Sequence, residues 1–569
     1  MKRNRRIHLV LIVLLCLGMI AGCGTTPKEA DTQKATTAPA SPKATVDAVQ
    51  DNTGDDAKTP DRVTLEFLAP SPVSQINDFD AVLAKVYEMT DATLNVRINY
   101  TFTTFDDIGQ KTSLKMSSGE QLDCVFVAQW TNPSMAQMVS KGMLVNLDPY
   151  IESADYPALQ QYFSGEYRNN NVVMDANGES HLYALPYTRT YGDGKNIFYR
   201  KDLATKYGFG EINDYDTLTA FYDAILENEQ GMTPFCFLGA NEGISEMLKV
   251  IHRSSPQTTQ HNTLLLESTY GVVVGDDGLA YVAKTVVPEM DPEYHKRLPQ
   301  HLQDEDPLLG YKLAREWYLK GYLEKDNLSQ KDYEGQFMAG RAASYPRAVD
   351  IFVETELRLK GAIQGAELGH FTYDPGIRYG TAKASGSDFR AWNFSAIPST
   401  SKYADRTMGF MNWIFESREN HDLLEFGIEG THWVAVGDDS YYTPEDVDPN
   451  ANYNFYGYIL TWNPQMVRYD SGTPEDIVTI YKNLADADFY YKRMDAGFSF
   501  VTDSIKTEQA KINDLKSLMR ALGCGVIDDI EGEVAKIQAQ YDQAGFQIVV
   551  EELEKQFNAF LKEHPYNGQ

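Results

Sequence analysis

The stretch DCVFVAQWTNPSMAQMVSKG, residues 123–142, contains a strand pattern followed by a helix pattern. Residues 123–128 form a short apolar run of the kind that is typical of a buried strand. Residues 133–141 have a helical pattern, and Gly142 follows as the residue that ends the helix. Upstream, we predict strands at 63–68 and 94–100 and helices at 78–90 and 105–118. Because strand and helix alternate at the spacing of βαβ units, the sequence predicts an α/β fold with a parallel sheet.

The same periodicities predict further elements toward the C-terminus. Apolar residues at helical spacing, with Leu218, Phe221 and Ile225 on one face, predict an amphipathic helix at 216–228. The other predicted elements are strands at 197–199 and 394–397, a hairpin at 271–282, and helices at 201–207, 311–320, 404–415, 418–426 and 532–563.

The first 22 residues have the features of an export signal. Basic residues precede a mostly apolar run at 7–20, which is too short to span a hydrocarbon core of ~30 Å. The run ends in Ile20-Ala21-Gly22-Cys23, which resembles the bacterial lipobox. This resemblance implies a lipoprotein signal peptide at 1–22 and a lipid on Cys23. The alternative is an ordinary signal peptide followed by an incidental cysteine.

Residues 23–61 are predicted to be a disordered tether. After Cys23 the segment consists mostly of Thr, Ala, Pro, Lys, Asp and Gln, and it contains no aromatic residue. Such a composition cannot bury enough apolar surface to offset the entropy of ordering the chain. A flexible chain of about 38 residues has a reach of roughly 30–35 Å, which would hold a globular body just off a membrane.

The composition of the whole chain excludes several classes of protein. With 51 Lys and Arg against 81 Asp and Glu, the formal net charge is −30, which disfavours nucleic acid and anionic lipid surfaces as partners. Beyond Cys16 and Cys23 only Cys124, Cys236 and Cys524 remain, so the chain is not a disulfide scaffold. The surplus of Tyr over Phe, 35 against 26, favours many amphipathic contact surfaces.

No sequence motif of a hydrolase, a nucleotide-binding loop or an EF-hand occurs in a suitable context. We therefore predict that the protein is not an enzyme, and we assign no catalytic residue, metal or cofactor. Acidic pairs are abundant, so a surface glycoside hydrolase that uses two carboxylates remains an alternative.

Several segments together resemble the extracellular solute-binding lipoproteins of bacterial ABC importers, in the group that binds sugars and oligosaccharides. Their order along about 500 residues carries the resemblance more than any single match does. The segments are KGMLVNLDPYI at 141–151, YALPY at 183–187, the strand and RKDLATKYG helix at 196–208, FMAGRAA at 337–343, AIPSTSK at 396–402 and LLEFGIEGTHW at 423–433.

The resemblance implies a two-lobed, periplasmic-binding-protein-like α/β fold with hinge strands and a central ligand cleft. We expect lobe I to comprise 62–185 and 336–398, and lobe II to comprise 186–335 and 399–569 with C-terminal helices. The implied function is capture of a sugar or oligosaccharide for ABC permease subunits by a monomer on the extracytoplasmic face of the membrane. A binding protein for a peptide or another polar solute is the main alternative.

Candidate ligand contacts were chosen where loops follow predicted strands or helices. Aromatic rings can stack on sugar rings, while Asn, Arg and Glu can exchange hydrogen bonds with hydroxyl groups. For each residue the alternative is packing within or between the lobes. The candidates are Trp130, Asn132, Tyr187, Arg189, Tyr345, Arg347, Trp392, Asn393, Glu429 and Trp433.

Overall fold

The computed structural model describes residues 60–192, 194–253, 262–266, 268–448 and 451–566, all within one compact unit of the chain. The predicted signal peptide at 1–22, the predicted lipidation site Cys23 and residues 23–59 of the predicted tether lie outside the described residues. In the part of the chain that is described, no helix has the length and apolar character needed to cross a membrane.

The strands are short, and the longest have eight residues. They are β1 (Val63–Pro70), β2 (Val96–Thr103), β3 (Cys124–Val127), β4 (Val173–Met174), β5 (Ser180–His181), β6 (Ala184–Tyr187), β7 (Lys195–Arg200), β8 (Thr263–Leu266), β9 (Tyr270–Val274), β10 (Ala280–Val282), β11 (Ser344–Ala348), β12 (Leu368–Thr372), β13 (Gly386–Ser387), β14 (Asn393–Ala396), β15 (Val434–Val436), β16 (Ser440–Tyr442), β17 (Tyr469–Asp470) and β18 (Tyr491–Lys492).

Helices fill most of the remaining chain. They are α1 (Phe79–Thr90), α2 (Ile108–Ser118), α3 (Met135–Ser140), α4 (Asp148–Ile151), α5 (Pro157–Tyr162), α6 (Gly165–Asn169), α7 (Lys201–Lys206), α8 (Tyr215–Asn228), α9 (Ser245–Arg253), α10 (Pro292–His295), α11 (Gln300–Gln303), α12 (Leu309–Lys320), α13 (Tyr333–Met338), α14 (Phe352–Ala362), α15 (Pro375–Arg378), α16 (Ala404–Glu416), α17 (Arg418–Glu425), α18 (Glu475–Ala485), α19 (Lys506–Gly523), α20 (Ile530–Ala544) and α21 (Phe546–Glu563).

The first lobe is built on a five-stranded sheet in the order β2–β1–β3–β14–β6. Strands β1, β2 and β3 are parallel, whereas β14 is antiparallel to both β3 and β6. The three strands predicted within residues 63–142 are therefore parallel, as expected, and the antiparallel strand β14 makes the complete sheet mixed. Its core draws on residues 65–187 and 391–466.

The second lobe is built on the antiparallel sheet β11–β7–β12. Helices α8 and α12 supply much of the core on one face of this sheet, where Tyr222 and Trp317 are buried. Helices α13, α14 and α18 pack on the other face. The C-terminal helices α19, α20 and α21 form a further core with the sheet β10–β9–β8.

Most sequence-predicted elements are present, and the differences are local. The predicted hairpin is the pair β9 and β10, and Ser417 caps α17 by accepting the Asn420 N–H at 3.1 Å. The predicted helix at 532–563 is instead two helices, α20 and α21. The chain turns between them at Gly545, whose φ of +95° is a conformation that favours glycine.

The predicted lobe boundaries need correction. Residues 344–348 and 368–372 pair with β7, so most of the segment 336–398 belongs to the second lobe, not to lobe I. Buried residues of the segments 408–424 and 453–466 pack in the first core, so the assignment of 399–569 to lobe II is also wrong for these segments. Long-range antiparallel pairing decides the first assignment and core packing decides the second, and local sequence patterns report neither. The lobes are thus joined after Tyr187, before Ala391 and after Asp470.

Candidate functional site

The loops at one edge of the first sheet converge because of the strand directions. Strands β1, β2, β3 and β6 are parallel to one another and end at this edge, whereas β14 is antiparallel and begins there. Loops beyond the carboxyl ends of parallel strands form the crevice in which α/β proteins bind ligands. The residues that follow Thr103, Val127 and Tyr187, and those that precede Asn393, therefore lie near one another.

Six aromatic side chains cover this edge, and we call them the aromatic band. Phe105 follows β2 and Trp130 follows β3; their ring centroids are 6.0 Å apart. Phe105 also lies 5.7 Å from Tyr458, which in turn lies 5.7 Å from Trp462. The band consists of Phe105, Trp130, Trp392, Tyr456, Tyr458 and Trp462.

Three members of the aromatic band are strongly exposed. The exposed fractions are 40 % for Phe105, 46 % for Trp130 and 66 % for Trp392. The Trp130 indole Nε1–H donates to the Trp392 carbonyl oxygen at 3.2 Å, which ties the two loops together. Large aromatic side chains are normally buried, so this exposed group calls for a functional explanation.

The segment 456–462 contains the other three members of the aromatic band, and hydrogen bonds hold it against the first sheet. The Tyr458 hydroxyl donates to the Pro70 carbonyl at 3.2 Å, and the Ser395 hydroxyl donates to the Ile459 carbonyl at 2.5 Å. A Cβ atom on Gly457 would lie 2.2 Å from the Trp462 ring. The tight turn at Gly457–Ile459 therefore requires glycine at its first position.

Arg189, in the segment that leaves the first lobe, contacts both lobes. Its guanidinium lies 4.3 Å from the Trp462 ring centroid, a cation–π geometry, and Nη2 lies 3.3 Å from the Asp350 carboxylate of the second lobe. Beneath Trp462, the Glu425 carboxylate accepts a hydrogen bond from the Thr461 hydroxyl. Burial raises the pKa of Glu425, although the charges of His421 and Arg189 oppose this effect.

The second lobe presents a polar surface at one end of its sheet, which we call the polar edge. It is formed where β7 begins and where β11 and β12 end, and it surrounds a cavity of about 240 Å³. The residues that line this cavity are Lys195, Asn196, Glu242, Tyr333, Pro346, Arg347, Ala348 and Tyr373.

A second cavity lies beside the connecting segments. It has a volume of about 180 Å³ and is bordered by Thr188, Thr190, Asp388, Arg390 and Trp392, among others. Trp392 therefore contributes both to the aromatic band and to this cavity between two connecting segments.

The sheet edge brings together half of the sequence-predicted site residues. Trp130, Arg189 and Trp392 lie in or against the aromatic band, as described above. Asn132 is exposed in the loop after β3, where its carbonyl packs against Gly109. Asn393 is half-buried at the start of β14, opposite Tyr187.

Three other predicted contacts are corrected by the structure, because their side chains are buried. Tyr187 is fully buried and packs edge-on against Phe163, with the ring centroids 6.1 Å apart. Tyr345 is fully buried, with its ring centroid 4.8 Å from that of Phe337. Trp433 is 5 % exposed, and its indole N–H donates to the Gly427 carbonyl at 2.9 Å. Packing is thus the role the structure gives to these rings.

The two remaining predicted residues, Glu429 and Arg347, are exposed but do not belong to the aromatic band. The Glu429 carboxylate faces the Ala435 N–H at 3.4 Å, next to the bridge between Glu429 and Trp433. This contact braces the turn after α17. Arg347 is exposed on the polar edge, with the Tyr333 hydroxyl beside it.

Sequence reasoning missed four members of the aromatic band, Phe105, Tyr456, Tyr458 and Trp462. It also missed Lys195 and Asn196 at the polar edge. A signal for three of them was present. Residues 453–462, YNFYGYILTW, contain five aromatic residues in ten positions. Such density in a segment with little regular structure indicates a contact surface, since loops carry binding residues disproportionately.

A group of potential metal ligands lies elsewhere in the first lobe. Ligand atoms of Asp175, Glu179 and His181 lie within 4.8 Å of one another at the turn between β4 and β5. The Asp175 carboxylate accepts the N–H groups of Asn177 and Glu179 at 2.8 and 3.0 Å, and these bonds lower its pKa. The His181 Nδ1 lies 2.8 Å from the Asp148 carboxylate, a hydrogen bond that raises the pKa of His181. Hydrogen bonds that close the turn therefore explain why these three side chains lie close together.

Two family models match the chain. The model described as bacterial extracellular solute-binding protein matches residues 83–428. A model described as a domain of unknown function (DUF3502) matches residues 495–562, the region of α19 to α21.

Known proteins resemble the chain over most of its length. A carbohydrate ABC transporter substrate-binding protein of Streptococcus pneumoniae is 22 % identical over 494 residues, covering 85 % of this chain and 89 % of that protein. The N-glycan transport solute binding protein of S. pneumoniae has a TM-score of 0.62 at 18 % identity, covering 88 % and 99 % of the two chains. An HMO binding ABC-transporter associated solute binding protein of Bifidobacterium longum infantis has a TM-score of 0.57 at 14 % identity, with the same coverage. These structures share the two-lobed α/β fold.

Proposed function

Because the chain belongs to the family of bacterial extracellular solute-binding proteins, we propose that it captures a sugar or oligosaccharide between its two lobes and delivers it to the permease of an ABC importer. The observation that carries this proposal is the aromatic band at the sheet edge. The relatives named above support the same class of ligand, since they include a carbohydrate substrate-binding protein, an N-glycan transport protein and an HMO binding protein.

The aromatic band suits a carbohydrate ligand for a physical reason. One face of a pyranose carries C–H groups that pack well against an aromatic ring, while its rim carries hydroxyl groups that require hydrogen-bond partners. Trp130 and Trp392 offer exposed rings, and Asn132 lies two residues beyond Trp130 with an exposed amide. A chain of several neighbouring rings fits a ligand of more than one sugar unit.

Contacts between the lobes suit a cleft that closes on its ligand. Arg189 touches Trp462 on one lobe and Asp350 on the other, and it lies in a connecting segment. Closure around such a segment would bring the polar edge of the second lobe toward the aromatic band, in the manner of a hinge motion. The ligand would then be held by rings on one side and by polar groups on the other.

The lipid anchor belongs to the same proposal. The lipobox-like segment that ends at Cys23, followed by a polar tether, would place a monomeric receptor on the extracytoplasmic face of the membrane. Tethering raises the effective concentration of the receptor near its permease. We also propose that the protein performs no chemistry on its ligand.

A glycan panel tests the proposed function. Binding of neutral and acidic oligosaccharides to the full chain would be followed by tryptophan fluorescence and by the melting temperature. We expect at least one oligosaccharide to shift both and to be recovered unaltered after incubation. If peptides or polyamines shift these signals and no saccharide does, the sugar assignment is wrong. Release of shorter products would instead identify a glycoside hydrolase.

A further inference from the structure

Two cationic residues line the cavity of the polar edge without an ion-pair partner among the described residues. Lys195 and Arg347 both line this cavity and both are exposed. Considering the described residues alone, neither side chain has a carboxylate oxygen within the 4.0 Å of an ion pair. In a chain with a net charge of −30, acidic side chains are plentiful, so the lack of a partner for either cation is a distinctive property of this cavity.

The strand register places Arg347 in a row of polar residues. Asn196 of β7 lies directly opposite Arg347 of β11 on one side and Thr372 of β12 on the other. Residues directly opposite one another in antiparallel strands share a face of the sheet. The three polar side chains therefore follow one another across three strands.

The middle of this row has unused hydrogen-bonding groups. Asn196 is 1 % exposed, yet neither its amide nitrogen nor its amide oxygen has a partner among the described residues. The Thr372 hydroxyl, 3 % exposed, is likewise unpartnered over the same part of the chain. Buried polar groups are nearly always hydrogen-bonded. An unpartnered amide beside a cavity therefore indicates a group that can form hydrogen bonds with a ligand.

Two acidic groups near the cavity are engaged in ion pairs. Asp350, three residues beyond Arg347, pairs with Arg189, and Glu334 pairs with Arg358. Glu242 is exposed and lines the cavity itself. The residues that line the cavity therefore carry two positive charges, on Lys195 and Arg347, against one negative charge on Glu242.

The polar edge is continuous with the aromatic band. From Arg347 the chain runs to Asp350, whose carboxylate contacts the guanidinium of Arg189, which itself lies over the Trp462 ring. A ligand that lies across this ion pair would touch rings at one end and cations at the other.

We infer that the cavity of the polar edge binds an anionic substituent of the captured glycan, a carboxylate or a sulfate, so that the preferred ligand is an acidic oligosaccharide. This inference rests on the proposed function. The planar guanidinium of Arg347 can make two parallel hydrogen bonds to a carboxylate or sulfate, and Lys195 adds a point charge. The Asn196 amide can donate to the same anion or to the hydroxyl beside it.

The test compares matched ligands on the full chain. Each oligosaccharide that binds in the glycan panel would be titrated by calorimetry in three forms: neutral, with one hydroxymethyl group oxidised to a carboxylate, and with that position sulfated. We expect the better anionic form to bind about tenfold tighter or more at low salt, which corresponds to about 1.4 kcal/mol. This advantage is expected to shrink as salt screens the charges. The relative affinity of the carboxylate and sulfate forms identifies the source of the anion.

Variants separate charge recognition from folding. Arg347→Gln and, independently, Lys195→Gln are expected to bring the ratio of anionic to neutral affinity close to one. Arg341→Gln removes an exposed arginine on the same segment, outside the cavity, and should preserve the ratio. The melting temperature of each variant checks that it is folded.

The outcomes distinguish this inference from the proposed function. If glycans bind but the neutral and anionic forms bind equally, the inference is overturned while the proposed function stands. The same holds if Arg347→Gln and Lys195→Gln leave a strong anionic preference in place. If no glycan of either kind binds, the proposed function itself fails, and the inference fails with it.

Discussion

At the scale of single residues, the two exposed indoles of the aromatic band differ in how they are held. Trp130 donates a hydrogen bond through its ring nitrogen, whereas Trp392 has no hydrogen bond from its ring among the described residues and is 66 % exposed. Trp392 therefore contributes little to folding, and its ring is available for stacking on a ligand.

The substitution Trp392→Ala should weaken glycan binding without affecting stability. Loss of one stacking ring is expected to cost about 0.5–1.5 kcal/mol of binding free energy, or up to roughly tenfold in Kd. The measurement is calorimetric titration together with thermal unfolding. Tyr442→Ala, which removes a ring that is 43 % exposed outside the aromatic band, is the matched control and should leave Kd unchanged. Equal losses in both variants would contradict the assignment.

Residue type alone could not identify the site. Tyr187, Tyr345 and Trp433 met the same sequence criteria as Trp130 and Trp392, yet they are buried. An aromatic side chain can fill a core as readily as it can line a cleft. Whether it is buried or exposed depends on which elements pack over it. Position relative to the observed strands separates the two groups better. Trp130 and Arg189 lie two or three residues beyond the ends of β3 and β6, at the shared edge, whereas Tyr187 and Tyr345 lie within β6 and β11.

The substitution Glu425→Gln should stabilise the protein at neutral and higher pH. The carboxyl has an ordinary pKa of 4.5, and burial raises this pKa in the folded state. The ionised form is therefore disfavoured by folding, and the penalty grows as the pH rises from about 4.5 through the folded-state pKa and stays constant above it.

Urea unfolding as a function of pH measures this effect of Glu425. The glutamine variant should be the more stable protein at pH 8, and the difference should vanish as the pH falls toward 4.5. If the variant is less stable at pH 8, the charges of His421 and Arg189 outweigh the desolvation of the carboxylate.

At the scale of elements, the segment 453–463 shapes half of the aromatic band. Gly457 is its tightest point, because a Cβ atom there would lie 2.2 Å from the Trp462 ring and 2.3 Å from the Glu425 carboxylate. Gly457→Ala is expected to destabilise the fold by about 1–3 kcal/mol and to weaken ligand binding, since the segment must shift.

Thermal unfolding and ligand titration of Gly457→Ala test this point. Gly361→Ala in α14 is the matched control, because a Cβ atom there meets nothing within 4 Å. That control should be neutral or stabilising by up to about 1 kcal/mol, owing to the better helix propensity of alanine. A Gly457→Ala protein as stable as the wild type would show that the segment is loosely held.

Helices α5 and α16 of the first lobe are joined by one buried amide. The Asn412 side-chain oxygen accepts the N–H groups of Ala158 and Leu159 at 3.0 and 3.3 Å, and Asn412 is 3 % exposed. Asn412→Ala leaves two buried donors at the start of α5 without a partner and should cost about 2–4 kcal/mol. Chemical denaturation measures this loss, and the exposed Asn228→Ala, at the end of α8, should change stability by no more than about 0.5 kcal/mol.

Elements with strong local signals could be predicted from the sequence, and the pairing of distant strands could not. The strand at 123–128 and the helices at 404–415 and 418–426 were placed within a few residues by periodicity and capping. The partner strands β11 and β12 carry no local mark of which sheet they join. Their pairing with β7 depends on contacts more than 140 residues away along the chain. The predicted lobe boundaries were wrong for this reason.

At the scale of the whole molecule, three ion pairs between the lobes can be identified among the described residues, and all are partly exposed; one of them joins Lys492 and Glu166 at 2.7 Å. Lys482 and Asp439 lie 2.9 Å apart with about half of each side chain exposed, and the Arg189–Asp350 pair spans 3.3 Å. Exposed ion pairs contribute only about 0–1 kcal/mol each. Interactions this weak are compatible with the hinge motion proposed above, in which each lobe would keep its own core.

Cys23→Ser tests the proposed lipid anchor of the whole molecule. Each buried methylene of a lipid chain contributes about 0.8 kcal/mol of membrane affinity, so loss of the proposed acylation site should release the protein into the medium or periplasm. The cleft is built from residues beyond 100, so ligand affinity should not change. Membrane fractionation and titration measure the two properties. Cys16→Ser, a change within the predicted signal peptide, should remain anchored. If the Cys23→Ser protein stays in the membrane fraction, retention of an uncleaved signal helix becomes the better account of residues 1–22.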